Sequence, residues 1–336
     1  MPHATVAHSM LRALLDYLGA QGLDRSRLAH DAGVAMAALA YPERRADASR
    51  YIALLRAGIE ASQNPLLGLE FGMAARPQRW GTLGLLLGHG ANLGEALAVQ
   101  ARFAHLVNSV GHGELVQRPK HVELIWRSDV AMPALVEEAF AAWVCFARWA
   151  SGQAHAPLRV TFAHRAQGDP AIYGALFKCP VDFSRATSTL QFDADLLDQP
   201  LRAPDAELAA TLEARVARHE QSEAAQDVVH ALERWLAGRL AHGSADLARA
   251  AAALDLSERT LQHRLQAGGT NFRQCLDRVR RALATRYLAD PALSIGAVSI
   301  RLGFSEQSAF QRAFRRWHGC TPMAWRHRLG RPDGCG

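Results

Sequence analysis

The feature that most constrains this 336-residue chain is a near-repeat in its C-terminal third. One copy runs from Leu254 to Leu265, the other from Leu302 to Phe314. Each begins with a tight turn. Gly303 stands where a helix should end in a left-handed residue. Asp255 takes that place in the first copy, and aspartate tolerates the conformation better than most side chains. Each copy then carries an apolar pair at i, i+4, Leu261 with Leu265 and Phe310 with Phe314, which must be buried on one face of a helix. The offset is 48 from Asp255 to Gly303 but 49 from Leu261 to Phe310, so the second helix starts one residue later. A short helix precedes each turn, with Ser244 and Ser294 as the expected N-caps.

Helix, tight turn and second helix form the helix-turn-helix pattern, in which the second helix enters the DNA major groove. With the apolar pairs facing inward, Arg259, Gln262 and His263 fall on the outer face of the first unit. Gln307, Ser308, Gln311 and Arg312 do so in the second. Arginine bonds guanine bidentately and glutamine bonds adenine, so these seven are the expected base contacts. Arg301, Arg315 and Arg316 are expected to meet phosphates, which position without specifying.

Between the units a helix is predicted over 272–289. Phe272, Leu276, Val279 and Leu283 form its apolar stripe, and Arg273, Arg278, Arg280, Arg281 and Arg286 lie on its other side. A rod of that length, roughly 25 Å, could hold two recognition helices against major grooves about 34 Å apart on one DNA face. Charge agrees. From Asp227 onward there are 17 arginines, no lysine and 9 acidic residues, a net +8, whereas the whole chain carries +6. The positive excess therefore sits on this third, as a polyanion reader requires.

Residues 5–75 read as helical, on the spacing of Val6, Met10, Leu14 and Leu18 and of Tyr51, Leu54, Leu55 and Ile59. Residues 80–200 read as mixed α+β. Glu114–Gln117 and His121–Trp126 should form a hairpin across Arg118-Pro119-Lys120, and Leu158–Phe162 a strand. Leu135–Trp149 reads as a helix whose aromatic face (Phe140, Trp143, Phe146, Trp149) is expected to be core rather than a ligand pocket. Pro204 is expected at the start of a connecting helix, Asp205–His219.

With 49% hydrophobic and 21% charged residues, the composition suits a folded globular chain. No secretory signal or membrane span is legible, so a cytoplasmic protein is expected. Cys145, Cys179, Cys275, Cys320 and Cys335 are scattered, without a Cys-x-x-Cys, and Cys145 and Cys179 read as inert buried thiols. No metal site, cofactor loop or nucleophile motif appears, so no cofactor and no catalysis are expected.

The segment Ser294–Arg326 resembles the AraC/XylS family of regulators. Leu302-Gly303-Phe304, Ser308, Phe310, Arg312, Phe314, Trp317, Gly319, Thr321-Pro322 and Trp325-Arg326 carry the resemblance, which extends over roughly residues 226–328. Thr321 and Pro322 also suit the N-cap and first residue of a closing helix. Two departures stand out: Ser299 where the family has alanine, and His263 where relatives often have arginine.

The first 200 residues resemble the arabinose-binding-like domain of ornithine-utilisation and virulence regulators. The residues are Asn64-Pro65 with Gly68-Leu69, Gly81 with Gly84, Asn92–Leu97, Cys179–Phe183 and Phe192-Asp193. The fold so implied is an α+β, mostly helical effector or dimerisation domain at 1–203. A connecting helix follows at 204–225. An all-α DNA-binding domain ends the chain at 226–336, with helix-turn-helix units at 244–266 and 294–317. The implied function is sequence-specific transcription regulation. The implied partners are double-stranded promoter DNA, RNA polymerase, a small-molecule effector and a second copy of the chain, with no membrane. An architectural DNA binder without ligand, or an enzyme fused to a DNA-binding module, would share the C-terminal pattern.

Overall fold

In the computed structural model, residues 4–240 and 245–329 are described. Two compact units divide at 217/218.

The first unit opens with β1 (Thr5–Ala7), α1 (His8–Ala20) and α2 (Arg25–Asp31), then β2 (Arg45–Asp47), α3 (Ala48–Ser62) and α4 (Leu67–Met73). Next come α5 (Gly81–Leu87), α6 (Leu93–Phe103), β3 (Gly111–Gln117), β4 (His121–Ser128) and α7 (Pro133–Ser151). β5 (Arg159–Thr161), α8 (Pro170–Phe177), β6 (Val181–Asp182) and β7 (Thr189–Asp193) complete it, before α9 (Ala206–Arg239) runs through the division. β1 and β2 pair antiparallel. The other five strands form one sheet in the order β3-β4-β7-β5-β6, with only β5 and β6 parallel.

The predicted hairpin is β3–β4, closed where the Arg118 N–H donates to the His121 carbonyl at 2.9 Å. Two apolar clusters fill this unit. One joins α1, α3 and α5 (Leu14, Leu18, Tyr51, Leu55). The other lies between the sheet and α7–α8, where Phe140, Phe162, Tyr173 and Phe177 are fully buried. α4 crosses α7 so closely that a Cβ on Gly68 would lie 2.3 Å from the Ala134 carbonyl oxygen, and one on Gly72 would lie 2.4 Å from that of Glu138. No other residue fits either position. The Cys179–Phe183 segment is held by Phe183 stacking on Phe162 at 5.6 Å and by Asp182 pairing with Arg159 and Arg185.

Three expectations need correction. Pro204 does not open α9. The Asp205 carboxylate does so, accepting the Leu208 N–H at 2.9 Å, because a side-chain acceptor stabilises a helix start that a proline ring only permits. The helix expected to end at His219 continues to Arg239, because Val228, Leu232 and Leu236 give it a second buried face. The aromatic face of α7 is divided: Phe140 is core, Trp149 is 44% exposed, and Trp143 and Phe146 border a cavity.

The second unit continues with α10 (Leu247–Ala253), α11 (Glu258–Ala267), α12 (Phe272–Leu288), α13 (Ile295–Arg301), α14 (Gln307–His318) and α15 (Pro322–Leu329). Asp246 is the N-cap of α10, its carboxylate accepting the Arg249 N–H at 2.8 Å. Ser244, expected in that role, lies outside the described residues. Ser294 caps α13 and Thr321 caps α15 through their hydroxyls, and Asn271 with Gln274 forms a reciprocal box at the start of α12.

Candidate functional site

Both turns of the repeat adopt the left-handed backbone their residues favour, φ 53° at Asp255 and 70° at Gly303. α11 starts after Ser257, whose hydroxyl accepts the Thr260 N–H at 3.1 Å, and α14 starts after Glu306. That is the one-residue offset between the copies. Leu261 and Leu265 are fully buried, as are Phe310 and Phe314. The hydroxyl of Ser299, where the family has alanine, is buried and donates to the Glu306 carbonyl at 3.4 Å across the second turn.

α12 contributes to two cores. Its first half places Cys275 and Val279 against Leu261 and Leu265 of α11 and Leu232 and Leu236 of α9. Its second half places Ala284 and Leu288 against Phe310 and Phe314 of α14. The fully buried stripe runs through Cys275, Val279, Ala284 and Leu288, while Phe272, Leu276 and Leu283 of the expected stripe are partly buried against the cores.

The seven expected base contacts are all exposed: Arg259, Gln262 and His263 on α11, and Gln307, Ser308, Gln311 and Arg312 on α14. Ser308 Oγ donates to the Glu306 carboxylate at 3.0 Å. Arg301, Arg315 and Arg316 are exposed too. Arg316 pairs with Asp277 of α12 at 2.8 Å, whereas Arg315 makes no ion pair among the described residues.

Two arginines of α12 reach neighbouring elements, Arg280 half-buried and Arg278 still exposed. Arg280 donates from Nε to the Leu302 carbonyl at 2.9 Å and from Nη2 to that of Gly303 at 2.7 Å, with its guanidinium 4.3 Å from the Phe304 ring centre. Burial holds its pKa below the usual arginine value. Arg278 joins Glu233 of α9 at 2.7 Å and the Thr270 hydroxyl at 3.0 Å. Both brace the fold.

The first unit encloses a cavity of about 160 Å³ between the sheet, α5–α7 and the start of α1. One water needs roughly a tenth of that volume. Trp80, Trp126, Trp143 and Phe146 supply its aromatic wall. At its edge Arg79 and Glu138 form a buried ion pair, and the Tyr51 hydroxyl lies 2.8 and 2.7 Å from the two Glu138 oxygens. Burial pushes the Tyr51 pKa up to about 12 and lowers that of Arg79. Gln100, Asn108 and His155 complete the polar lining. Sequence reading named Trp143 and Phe146 only as core and gave Arg79, Glu138, Gln100, Asn108 and His155 no role, because these residues come from distant segments.

Among the described residues no three His, Cys, Asp or Glu side chains cluster as metal ligands, and no helix is long and apolar enough to cross a membrane. Cys145, Cys179, Cys275 and Cys320 are free, and burial raises the pKa of the first three.

Comparison with known proteins agrees with this geometry. Residues 22–201 match the arabinose-binding domain of AraC transcription regulators, and residues 250–328 match a helix-turn-helix domain. The ornithine utilization regulator of Pseudomonas aeruginosa is 29% identical over 324 residues, 94% of each chain. The HTH-type transcriptional regulator VirS of Mycobacterium tuberculosis is 36% identical over 170 residues, 49% of this chain and 48% of its own. The crystal structure of the transcriptional regulator CdpR from Pseudomonas aeruginosa has a TM-score of 0.47 at 24% identity, covering 95% of this chain and 98% of that one. With its N-terminal and C-terminal modules both matched in order, the chain belongs to the AraC family of helix-turn-helix transcription regulators.

Proposed function

We propose that this regulator reads promoter DNA with α11 and α14 in successive major-groove segments, under control of a small molecule held in the N-terminal cavity. Arg259, Gln262, His263, Gln307, Ser308, Gln311 and Arg312 contact base edges. Arg301, Arg315 and Arg316 contact phosphates. The observation that carries the reading is α12, whose two halves are buried in the cores of both helix-turn-helix units while every one of those ten side chains is exposed. The N-terminal unit, which matches the arabinose-binding domain of AraC transcription regulators, senses the effector and pairs two copies, and the bound complex meets RNA polymerase at the promoter. The protein acts by binding rather than catalysis, in the cytoplasm with the DNA it regulates.

Genome-wide footprinting with the purified full-length protein tests this. The expected result is protection of a few promoters at affinities about 10³-fold or more above random duplex at physiological salt. Equal affinity for all duplexes would overturn it.

A further inference from the structure

The proposed effector cavity also carries information about what enters it. Its carboxylate and guanidinium are paired with each other, although Arg79 Nε and the lining His155 Nε2 have no hydrogen-bond partner among the described residues. Arg79 pairs with Glu138 and donates from Nη1 to the Phe71 carbonyl at 3.2 Å, with its guanidinium 4.1 Å from the Phe71 ring centre. Glu138 takes Arg79 on one side and Tyr51 on the other. An ion entering this cavity would meet a neutral pair, not a counter-ion. Burying a charge without a partner costs several kcal/mol.

The uncharged polar groups are in the opposite condition. The Gln100 carboxamide makes no hydrogen bond among the described residues. The Asn108 side chain accepts the Val110 N–H at 2.9 Å through Oδ1, which leaves its NH₂ free. Carboxamides bond carbonyl, amide and hydroxyl groups without requiring charge. The remaining wall is aromatic and aliphatic, with ring faces from Trp80, Trp126, Trp143 and Phe146. Such walls hold planar apolar groups by dispersion and ring contact.

We propose that the effector is an uncharged, mainly apolar ring compound bearing one carbonyl or hydroxyl group, which bonds the carboxamides of Gln100 and Asn108 while the ring lies among the indoles. This rests on the cavity being the effector site. It sets this chain apart from any regulator whose effector is a cationic amino acid, since the one carboxylate lining the cavity, that of Glu138, is already paired with Arg79 and Tyr51.

The test is a titration of the full-length protein with three probes of similar shape and different charge: acetophenone, benzoate and benzylammonium. Binding is read by ligand-observed NMR and by thermal melting. Each probe is repeated on Ala142→Phe and Leu97→Trp, which fill the cavity from two sides, and on Gln100→Leu, which keeps the shape and removes the amide. Two filling variants are used so that a folding defect in one leaves the other to report. The expected result is acetophenone binding at least about tenfold tighter than either ion, lost in the filling variants and weakened about five- to tenfold in Gln100→Leu. Tighter binding of benzoate or benzylammonium, abolished by filling, would overturn the ligand class and leave the cavity as effector site. Binding of all three probes that is indifferent to filling would overturn both.

Discussion

The guanidinium of Arg280 lies against the carbonyl oxygen of Leu302, its Nε donating across 2.9 Å. Leu302 ends α13 and carries the chain into the second turn, where helix-end carbonyls have lost their intrahelical partners. Arg280 therefore fixes the start of α14 from α12. Arg280→Met should leave two carbonyls without a charged donor and cost about 2 kcal/mol. Amide hydrogen exchange should accelerate about 30-fold in α13 and α14 while α3 and α7 stay unchanged. Arg280→Lys should recover part of the loss, because an ammonium lacks the planar fork that reaches both oxygens.

The left-handed turns give an asymmetric pair of substitutions. Gly303 at φ 70° has no side chain to strain, so Gly303→Ala should destabilise the second unit by about 1–2 kcal/mol. Asp255 at φ 53° bears a milder version of that strain, so Asp255→Gly should be neutral or stabilising. Urea denaturation of the two variants checks the opposite signs.

Promoter recognition separates by residue role. Gln311→Ala and Arg312→Ala should each lower affinity for a footprinted promoter by about 1–3 kcal/mol and relax discrimination at one base position. Arg315→Ala should weaken all duplexes alike and reduce the salt slope by about one. Arg316→Ala should change that slope less, because Asp277 already neutralises its charge at 2.8 Å. Equilibrium binding between 50 and 200 mM salt distinguishes them.

On α7, Glu137 is fully buried, and desolvation pushes its pKa up to about 7 despite a hydrogen bond from the Tyr173 hydroxyl at 2.5 Å. The folded protein therefore holds a proton that an unfolded glutamate releases near pH 4.5. This stabilisation is complete below about pH 4.5 and falls away as the pH rises through 7. His164, 3.8 Å from Glu137 and with its pKa lowered by burial, opposes it by favouring the folded state as the pH rises. Comparing wild type with Glu137→Gln across pH 5–8 isolates the carboxyl, and the stability difference should shift against the wild type as the pH rises.

The buried Arg79–Glu138 pair should be worth about 3–5 kcal/mol against loss of one partner, because the other is left charged and uncompensated. Glu138→Ala should lower the melting temperature of the first unit far more than the exposed-pair variant Glu114→Ala, whose partner Arg127 stays in water. Calorimetry of the two variants tests the contrast.

What was legible in the sequence was local. Asp255, Gly303, Ser294 and Thr321 each act within four residues, and the Leu261–Leu265 and Phe310–Phe314 pairs declare their faces by spacing alone. The hairpin at Arg118–Lys120 was visible for the same reason. Arg280 was not legible, since an arginine beside an apolar stripe reads the same whether it meets water or a carbonyl 22 residues away. Nor was the cavity, whose wall joins Met10, Trp80, Gln100, Trp126 and Trp143 only after five elements have packed. Trp143 both packs against the cluster of Phe140 and Phe177 and borders the void, a distinction that spacing along α7 does not draw.

A helix shared by two cores cannot be lengthened in small steps. Adding one residue between Val279 and Ala284 would advance the second core by about 1.5 Å and turn it by about 100° relative to the first, carrying α14 with Ala284 and Leu288 and aiming it away from its present direction relative to α11. Under the proposed reading, single exchanges on α11 or α14 would rewrite the letters that are read. The gap between the two words is fixed by helical pitch, and new operators must evolve to meet it.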